Sequence, residues 1–155
     1  MHTMIEPSVK LLTSPNPQDF VRVSVGCIVL NQQKQIVLQQ RDADCITFPD
    51  RIATFGGGIE GDETPLQALQ RELKEELGAL VLPQEPIALC ALAEADTQFR
   101  ELIYAFFWHD KHNTITGCYE GKAITFPSWQ SILEHPKLMS DVSWLIKECR
   151  RLELI

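Results

Sequence analysis

The sequence predicts an α+β (α/β) domain in which a mixed β-sheet is sandwiched between helices. Stretches with strand and helix character are interleaved along the chain in the order β-β-α-β-β-α, a pattern that puts helices on the faces of one sheet. An apolar content of 45% and a charged content of 23% are those of an ordinary globular protein. A length of 155 residues suits one domain.

Each element has a local reason. Residues 1–19 carry Pro7, Pro15 and Pro17 and read as an extended or partly ordered N-terminal arm, with residues 20–155 as one domain. Phe20 to Leu30 is β-rich and begins by alternating, with Val21, Val23 and Val25 on one side and Arg22 and Ser24 on the other. Asn31 to Lys34 make a turn, and Gln35 to Arg41 return as the second strand of a hairpin. Residues 42–53 read as a long loop, followed after Phe55 by the flexible turn Gly56-Gly57-Gly58. The next helix is well signposted. Thr64 is the N-cap, Pro65 the first helical residue, and Asp62 and Glu63 place negative charge at the positive helix end. Leu66, Leu69, Leu73 and Leu77 form one apolar stripe, and Gly78 is the stop. Strands are expected at Ile87–Glu94 and Glu101–His109, with a weaker one at Lys122–Phe126. A short helix begins near Trp129 and ends before Pro136. The last helix, capped by Ser140 or Asp141, has Val142, Leu145, Ile146, Cys149 and Leu152 on its apolar side.

Charge and cysteine usage exclude several classes. Fourteen basic and 21 acidic residues give a net charge of −7. That balance opposes broad binding to nucleic acid or to an anionic membrane, both of which call for a basic patch. The five cysteines, Cys27, Cys45, Cys90, Cys118 and Cys149, are scattered without a C-x-x-C pair, so neither a disulfide framework nor a zinc ribbon is expected. No apolar run approaches a membrane span, and the first residues lack the pattern of a signal peptide. Cytoplasmic residence with reduced thiols is the expectation.

The informative stretch is Gly56 to Ala79, GGGIEGDETPLQALQRELKEELGA. Glu72, Glu75 and Glu76 fall within an arc of about 100° beside the leucine stripe. Glu72 and Glu76 are like charges one turn apart, which repel by a few tenths of a kcal/mol. All three sit in the half of the helix where the macrodipole is also negative, at a cost of about 0.3–1 kcal/mol each at low ionic strength. A solvated surface could carry such a run. The adjoining glycines, the further carboxylate of Glu63 and the counter-charge of Arg71 point instead to a hard divalent cation, which needs several oxygen ligands and negative charge. A carboxylate left free of metal could deprotonate a water.

This segment resembles the Nudix box, in which Gly, five residues, Glu, seven residues and then Arg-Glu-aliphatic-any-Glu-Glu-any-Gly-aliphatic recur. Gly57, Glu63, Arg71, Glu72, Leu73, Glu75, Glu76 and Gly78 stand at the required spacings. Ala79 replaces a larger aliphatic at the last position, where the role is packing. The flanking strands and last helix extend the likeness to about residues 20–150. The resemblance implies a Nudix fold and metal-assisted hydrolysis of a nucleoside diphosphate linked to another moiety. By position, it implies that Glu72, Glu75 and Glu76, with the Gly56 carbonyl, hold Mg2+ or Mn2+, and that Arg71 orients Glu63 or Glu72. The general base lies either in the box or in a later loop, where Glu120 is the candidate and Glu101 and Glu94 the runners-up. Arg22, Gln39 and Arg41 on the early strands, together with Phe48, are candidates for substrate contact. Phe48 and Phe55 could each stack on a base or belong to the core, and Trp108, Trp129 and Trp144 read as packing residues. The implied partner is a small nucleoside diphosphate derivative: a nucleoside triphosphate, a nucleotide sugar, ADP-ribose or a dinucleoside polyphosphate. The family includes dimers, and the N-terminal arm could cross to a second copy in a homodimer.

Three rival readings compete. A non-catalytic nucleotide sensor on the same fold usually lacks the box glutamates, which this chain keeps. An isoprenoid diphosphate isomerase needs a reactive cysteine in its own motif. An interaction protein with a charged helix has no reason to match the full spacing.

Overall fold

The computed structural model describes the backbone of residues 2–6 and the whole of residues 8–155. In chain order the strands and helices are β1 (His2–Glu6), β2 (Val9–Leu12), β3 (Arg22–Leu30), β4 (Ile36–Gln40), β5 (Ile52–Ala53), β6 (Phe55–Gly58), α1 (Pro65–Leu77), β7 (Ile87–Glu94), β8 (Glu101–His109), β9 (Lys122–Phe126), α2 (Trp129–Leu133) and α3 (Ser140–Arg151).

The β-rich run after residue 20 becomes the strand on which the others are hung. β3 pairs parallel with β8 from Arg22 opposite Glu101 to Leu30 opposite His109. Its second edge is shared. Residues 24–27 pair antiparallel with β6, and residues 29–30 with β4. The sheet runs β1-β2-β7-β8-β3-β4-β5, with β9 on β4. Because side chains alternate across a strand, β3 serves two cores. Val25, Cys27 and Val29 pack with Leu69, Leu73 and Leu77 of α1, and with Phe55 and Trp108. Ile28 and Leu30 pack on the other face with Ile132 of α2 and with Val142, Leu145, Ile146 and Cys149 of α3. The mixed sheet is therefore sandwiched between helices, as the element order implied.

Helix α1 obeys its local signals. Thr64 Oγ1 accepts from the Gln67 N–H at 3.2 Å, and Gln67 Oε1 accepts from the Thr64 N–H at 2.9 Å. This is a capping box. Gly78 ends the helix in the left-handed region at φ 65°, where its N–H reaches the carbonyls of Leu73 and Lys74.

Four expectations need correction. The glycine run is strand β6 rather than a turn, because it finds a ladder partner in β3. Residues 42–53 are not loop throughout, since Ile52–Ala53 pairs with β4 as β5. Neither Ser140 nor Asp141 is the N-cap of α3. Met139 holds that position and offers no side-chain cap. The arm expected over residues 1–19 is extended but joined to the sheet. β2 pairs with β7, β1 pairs with β2, and Val9 is fully buried. Met1 and Pro7 of that arm lie outside the described residues. Among the described residues no helix is long and apolar enough to cross a membrane.

Packing of α1 on β3 gives a stability prediction. Leu73 is fully buried, whereas Leu80 is 62% exposed. Leu73→Ala is expected to lower unfolding free energy by about 2–5 kcal/mol, and Leu80→Ala by less than about 0.5 kcal/mol. Urea unfolding followed by circular dichroism measures both.

Candidate functional site

Below the leucine stripe of α1, the next row of side chains faces β6 and carries Glu72 and Glu76. Both are buried, Glu76 almost completely. Glu76 Oε1 accepts from the Gly56 N–H at 2.8 Å, and Glu76 Oε2 accepts from Gln39 Nε2 at 3.1 Å. Burial pushes its carboxyl up to about 8; the Gly56 N–H opposes this, and the charges of Glu120 and Glu72 add to it. Burial also raises Glu72, against the pull of Arg71. Gly57 lets the Glu72 carboxylate lie against the strand, since a Cβ there would stand 2.5 Å from Glu72 Oε1 and displace it. Gly56, at φ 147°, is a position that only glycine adopts freely.

Arg71 organises the carboxylates. Its Nε donates to Glu63 Oε2 at 2.7 Å and its Nη2 to Glu63 Oε1 at 2.9 Å, a bidentate pair. Nη1 donates to Glu72 Oε1 at 2.8 Å and to Glu75 Oε2 at 3.4 Å, and Nη2 also reaches the Gly58 carbonyl at 2.8 Å. The guanidinium holds the Glu63 carboxyl down at about 2, with help from the Glu60 N–H. Glu75 remains exposed, its side chain 60% accessible.

The loop between β8 and β9 brings a further acid to this group. Asp110 is buried and accepts from the Thr114 N–H and hydroxyl and from the Ile115 N–H, between 2.8 and 2.9 Å. Farther on, the Thr116 and Tyr119 N–H groups donate to the carbonyls of Leu77 and Glu76. The exposed Glu120 follows, close enough for its charge to act on both Glu72 and Glu76. Its carbonyl accepts from Gln39 Nε2 at 2.9 Å. Gln39 is thus buried with its amide bonded to Glu76 and to this loop, a positioning role that its place on an early strand did not announce.

A cavity of about 340 Å3 adjoins Gly56 and Gly57 and is lined by Arg22, Gln39, Arg41 and Phe48, the four substrate candidates. Arg22 pairs with Glu101 at 2.9 Å. Arg41, just beyond β4, donates through Nε to the Thr47 carbonyl at 3.1 Å. Phe48 has a left-handed backbone at φ 48° in the loop beside the cavity. Glu94 and Asp141 also line it, both buried. Burial, reinforced by the Asp141 charge, pushes Glu94 up to about 7, and burial pushes Asp141 up to about 6. The Glu94 carboxylate accepts from the N–H groups of Asp96 and Thr97, so it caps a 3-10 turn. No sequence pattern marks Asp141 as a cavity residue, since its place depends on how α3 docks.

Among the described residues no three His, Cys, Asp or Glu side chains stand as a preassembled metal-holding group. Glu72 and Glu75 lean on Arg71, and Glu76 on Gly56 and Gln39. The donor set nevertheless fits a hard divalent cation. It is all oxygen, Glu72 and Glu76 repel each other and Glu120, and the exposed Glu75 is held by a long 3.4 Å contact to Arg71.

The chain matches the NUDIX domain over residues 21–146. A CTP pyrophosphohydrolase of Escherichia coli (strain K12) is 29% identical over 128 residues, covering 79% of this chain and 88% of that protein. An RNA pyrophosphohydrolase of Halorhodospira halophila (strain DSM 244 / SL1) is 43% identical over 61 residues, covering 39% of this chain and only 30% of that relative. In structure, a mutT/nudix family protein from Listeria innocua superposes with a TM-score of 0.71 at 18% identity, over 87% of this chain and 95% of that one. This last likeness is one of fold.

The Arg71–Glu63 pair gives a pH prediction. The folded pKa of Glu63, about 2, lies below the unfolded value of about 4.3. The pair's contribution is therefore present above the unfolded pKa and is lost as pH falls through the folded one. Arg71→Ala is expected to return Glu63 towards the unfolded value, and acid unfolding should begin at higher pH than in the parent. NMR titration of the Glu63 carboxyl carbon measures the first effect and circular dichroism the second.

Proposed function

Because the chain belongs to the NUDIX family, we propose that it hydrolyses a nucleoside diphosphate linked to another moiety, with Mg2+ or Mn2+. Nucleoside triphosphates lead the candidate substrates, since the relative whose length this chain mostly covers is named a CTP pyrophosphohydrolase. Nucleotide sugars and ADP-ribose remain in the candidate class. The observation that carries the reading is the pair of buried glutamates, Glu72 and Glu76, one helical turn apart beside a cavity lined by arginines.

In this reading Glu72, Glu75 and Glu76 hold the cation, with the Gly56 carbonyl beside them. When bound, the ion neutralises the diphosphate and lowers the pKa of a water. Arg71 keeps Glu63 and Glu72 in fixed positions and ties β6 to α1 through the Gly58 carbonyl. Gln39 and the Gly56 N–H fix the Glu76 carboxyl, whose charged form, made costly by burial, would be favoured by a cation beside it. Glu120, exposed on its loop, is the candidate base for the attacking water. Arg22 and Arg41 supply positive charge for phosphates at the cavity, and Phe48 an aromatic face for a base. The rival sensor reading requires none of this carboxylate arrangement.

The test is incubation with a panel of nucleoside triphosphates, 8-oxo-dGTP, nucleotide sugars and ADP-ribose, with Mg2+ or Mn2+ and an EDTA control, with products identified by mass. Metal-dependent release of a nucleoside monophosphate from one class is expected. Glu76→Gln should lower turnover by about 100-fold and lower Tm without unfolding the chain, because its amide NH2 meets the Gly56 N–H or the Gln39 amide, donor against donor. Silence of the folded parent protein across the panel would overturn the hydrolase reading in favour of the sensor.

A further inference from the structure

Part of the cavity wall is assembled from three segments far apart in sequence: Ala53 and Thr54 after Arg51, Glu94 to Glu101 around the 3-10 turn, and Met139 to Asp141 at the start of α3. Two side chains outside the lining tie them together. The Arg51 Nε donates to the Lys137 carbonyl at 3.1 Å and its Nη2 to the Leu138 carbonyl at 2.6 Å. Around that fork, the Ile52 N–H donates to the Lys137 carbonyl at 2.8 Å and the Met139 N–H to the Ile52 carbonyl at 2.9 Å. Nη2 also pairs with Asp96 at 3.4 Å. Asp96 in turn accepts from the Ser140 N–H at 2.6 Å.

That last contact replaces a missing cap. The first N–H groups of a helix have no partner within it, and the residue at the N-cap of α3, Met139, supplies none. Asp96, from another part of the chain, supplies a carboxylate acceptor for the first of these N–H groups, that of Ser140. The start of α3 is therefore held from outside, by Asp96 on its N–H side and by Arg51 on the carbonyls just before it. The two residues this fixes, Met139 and Asp141, lie in the cavity wall.

We propose that Arg51 and Asp96 are positioning residues for substrate binding: by fixing Lys137–Ser140 they set where Met139 and Asp141 stand, and so how tightly the cavity holds the nucleoside end of the substrate. They act away from the carboxylates of α1. This rests on the cavity being the substrate site of the proposed hydrolase.

The experiment compares the parent with Asp96→Ala, Asp96→Asn, Arg51→Ala and Arg51→Lys, using the panel nucleotide that the parent hydrolyses fastest. Displacement of binding groups without loss of the reacting geometry should raise KM about tenfold in Asp96→Ala and Arg51→Ala and leave kcat within about twofold. Asp96→Asn keeps an oxygen for the Ser140 N–H and should recover most of the KM. Arg51→Lys, which loses the fork across two carbonyls, should fall between. Melting curves identify any variant that does not fold, in which case the conservative variant at that position carries the test. A KM within twofold of the parent in the folded variants, however far Tm falls, overturns the proposal, as does a drop in kcat at unchanged KM. Calorimetric titration of the same nucleotides with Ca2+ separates the two readings. A parent that binds but does not hydrolyse fails only the hydrolase reading, and equal affinity of Asp96→Ala and the parent then overturns the positioning role. A parent that binds none of them overturns both.

Discussion

The Arg71 guanidinium lies between 2.7 and 3.6 Å from the carboxylates of Glu60, Glu63, Glu72 and Glu75. One delocalised charge with a fixed fork of donors thus arranges a surface that like-charge repulsion would otherwise scatter. The bidentate hold on Glu63 fixes the stretch before α1, and the bond to the Gly58 carbonyl fixes β6 against the helix. Glu72 is then held on the side facing Gly57, so close that a Cβ there would displace its carboxylate. Arg71 itself is raised by these contacts, Glu63 first, so it stays charged at every relevant pH.

Glu76 obeys a different constraint. Among the described residues its hydrogen-bond partners are neutral donors, the Gly56 N–H and the Gln39 amide. Burial without a counter-ion makes the charged form costly, and Glu72 and Glu120 add to that cost. A carboxyl in this state gains from any cation that reaches it. β3 makes both environments possible, because its odd residues seat α1 while its even residues seat α3. The charged helix and the cavity wall that α3 supplies are thereby built around one strand.

What could be read in the sequence was local. Thr64, Pro65 and Gly78 bound α1 because caps act within one turn, Glu101–His109 was legible from its aromatic and β-branched residues, and Ile87–Glu94 as a short, largely apolar run. The acidic pattern of Glu72, Glu75 and Glu76 was legible because its spacing is that of one helix. What was missed depends on partners far along the chain. Gly56 to Gly58 looks like a turn until β3 is placed beside it. Gln39 reads as a substrate-contact candidate, and its hold on Glu76 and the Glu120 carbonyl is visible only once those partners, far along the chain, are placed beside it. The cap of α3 comes from Asp96, 44 residues before Ser140, so a search for Ser or Asp at the helix start found Ser140 and Asp141 instead. The N-terminal arm joins the sheet through β7, which no feature of residues 1–19 announces.

Titration of Mn2+ followed by electron paramagnetic resonance, on the parent chain and on Arg71→Ala without nucleotide, tests most directly whether Arg71 shapes a cation site. Saturable binding to the parent is expected, weakened about 10- to 100-fold in Arg71→Ala, as when a group that orients metal ligands is removed. Equal or tighter binding by the folded Arg71→Ala variant, or no saturable binding by the parent, would contradict it.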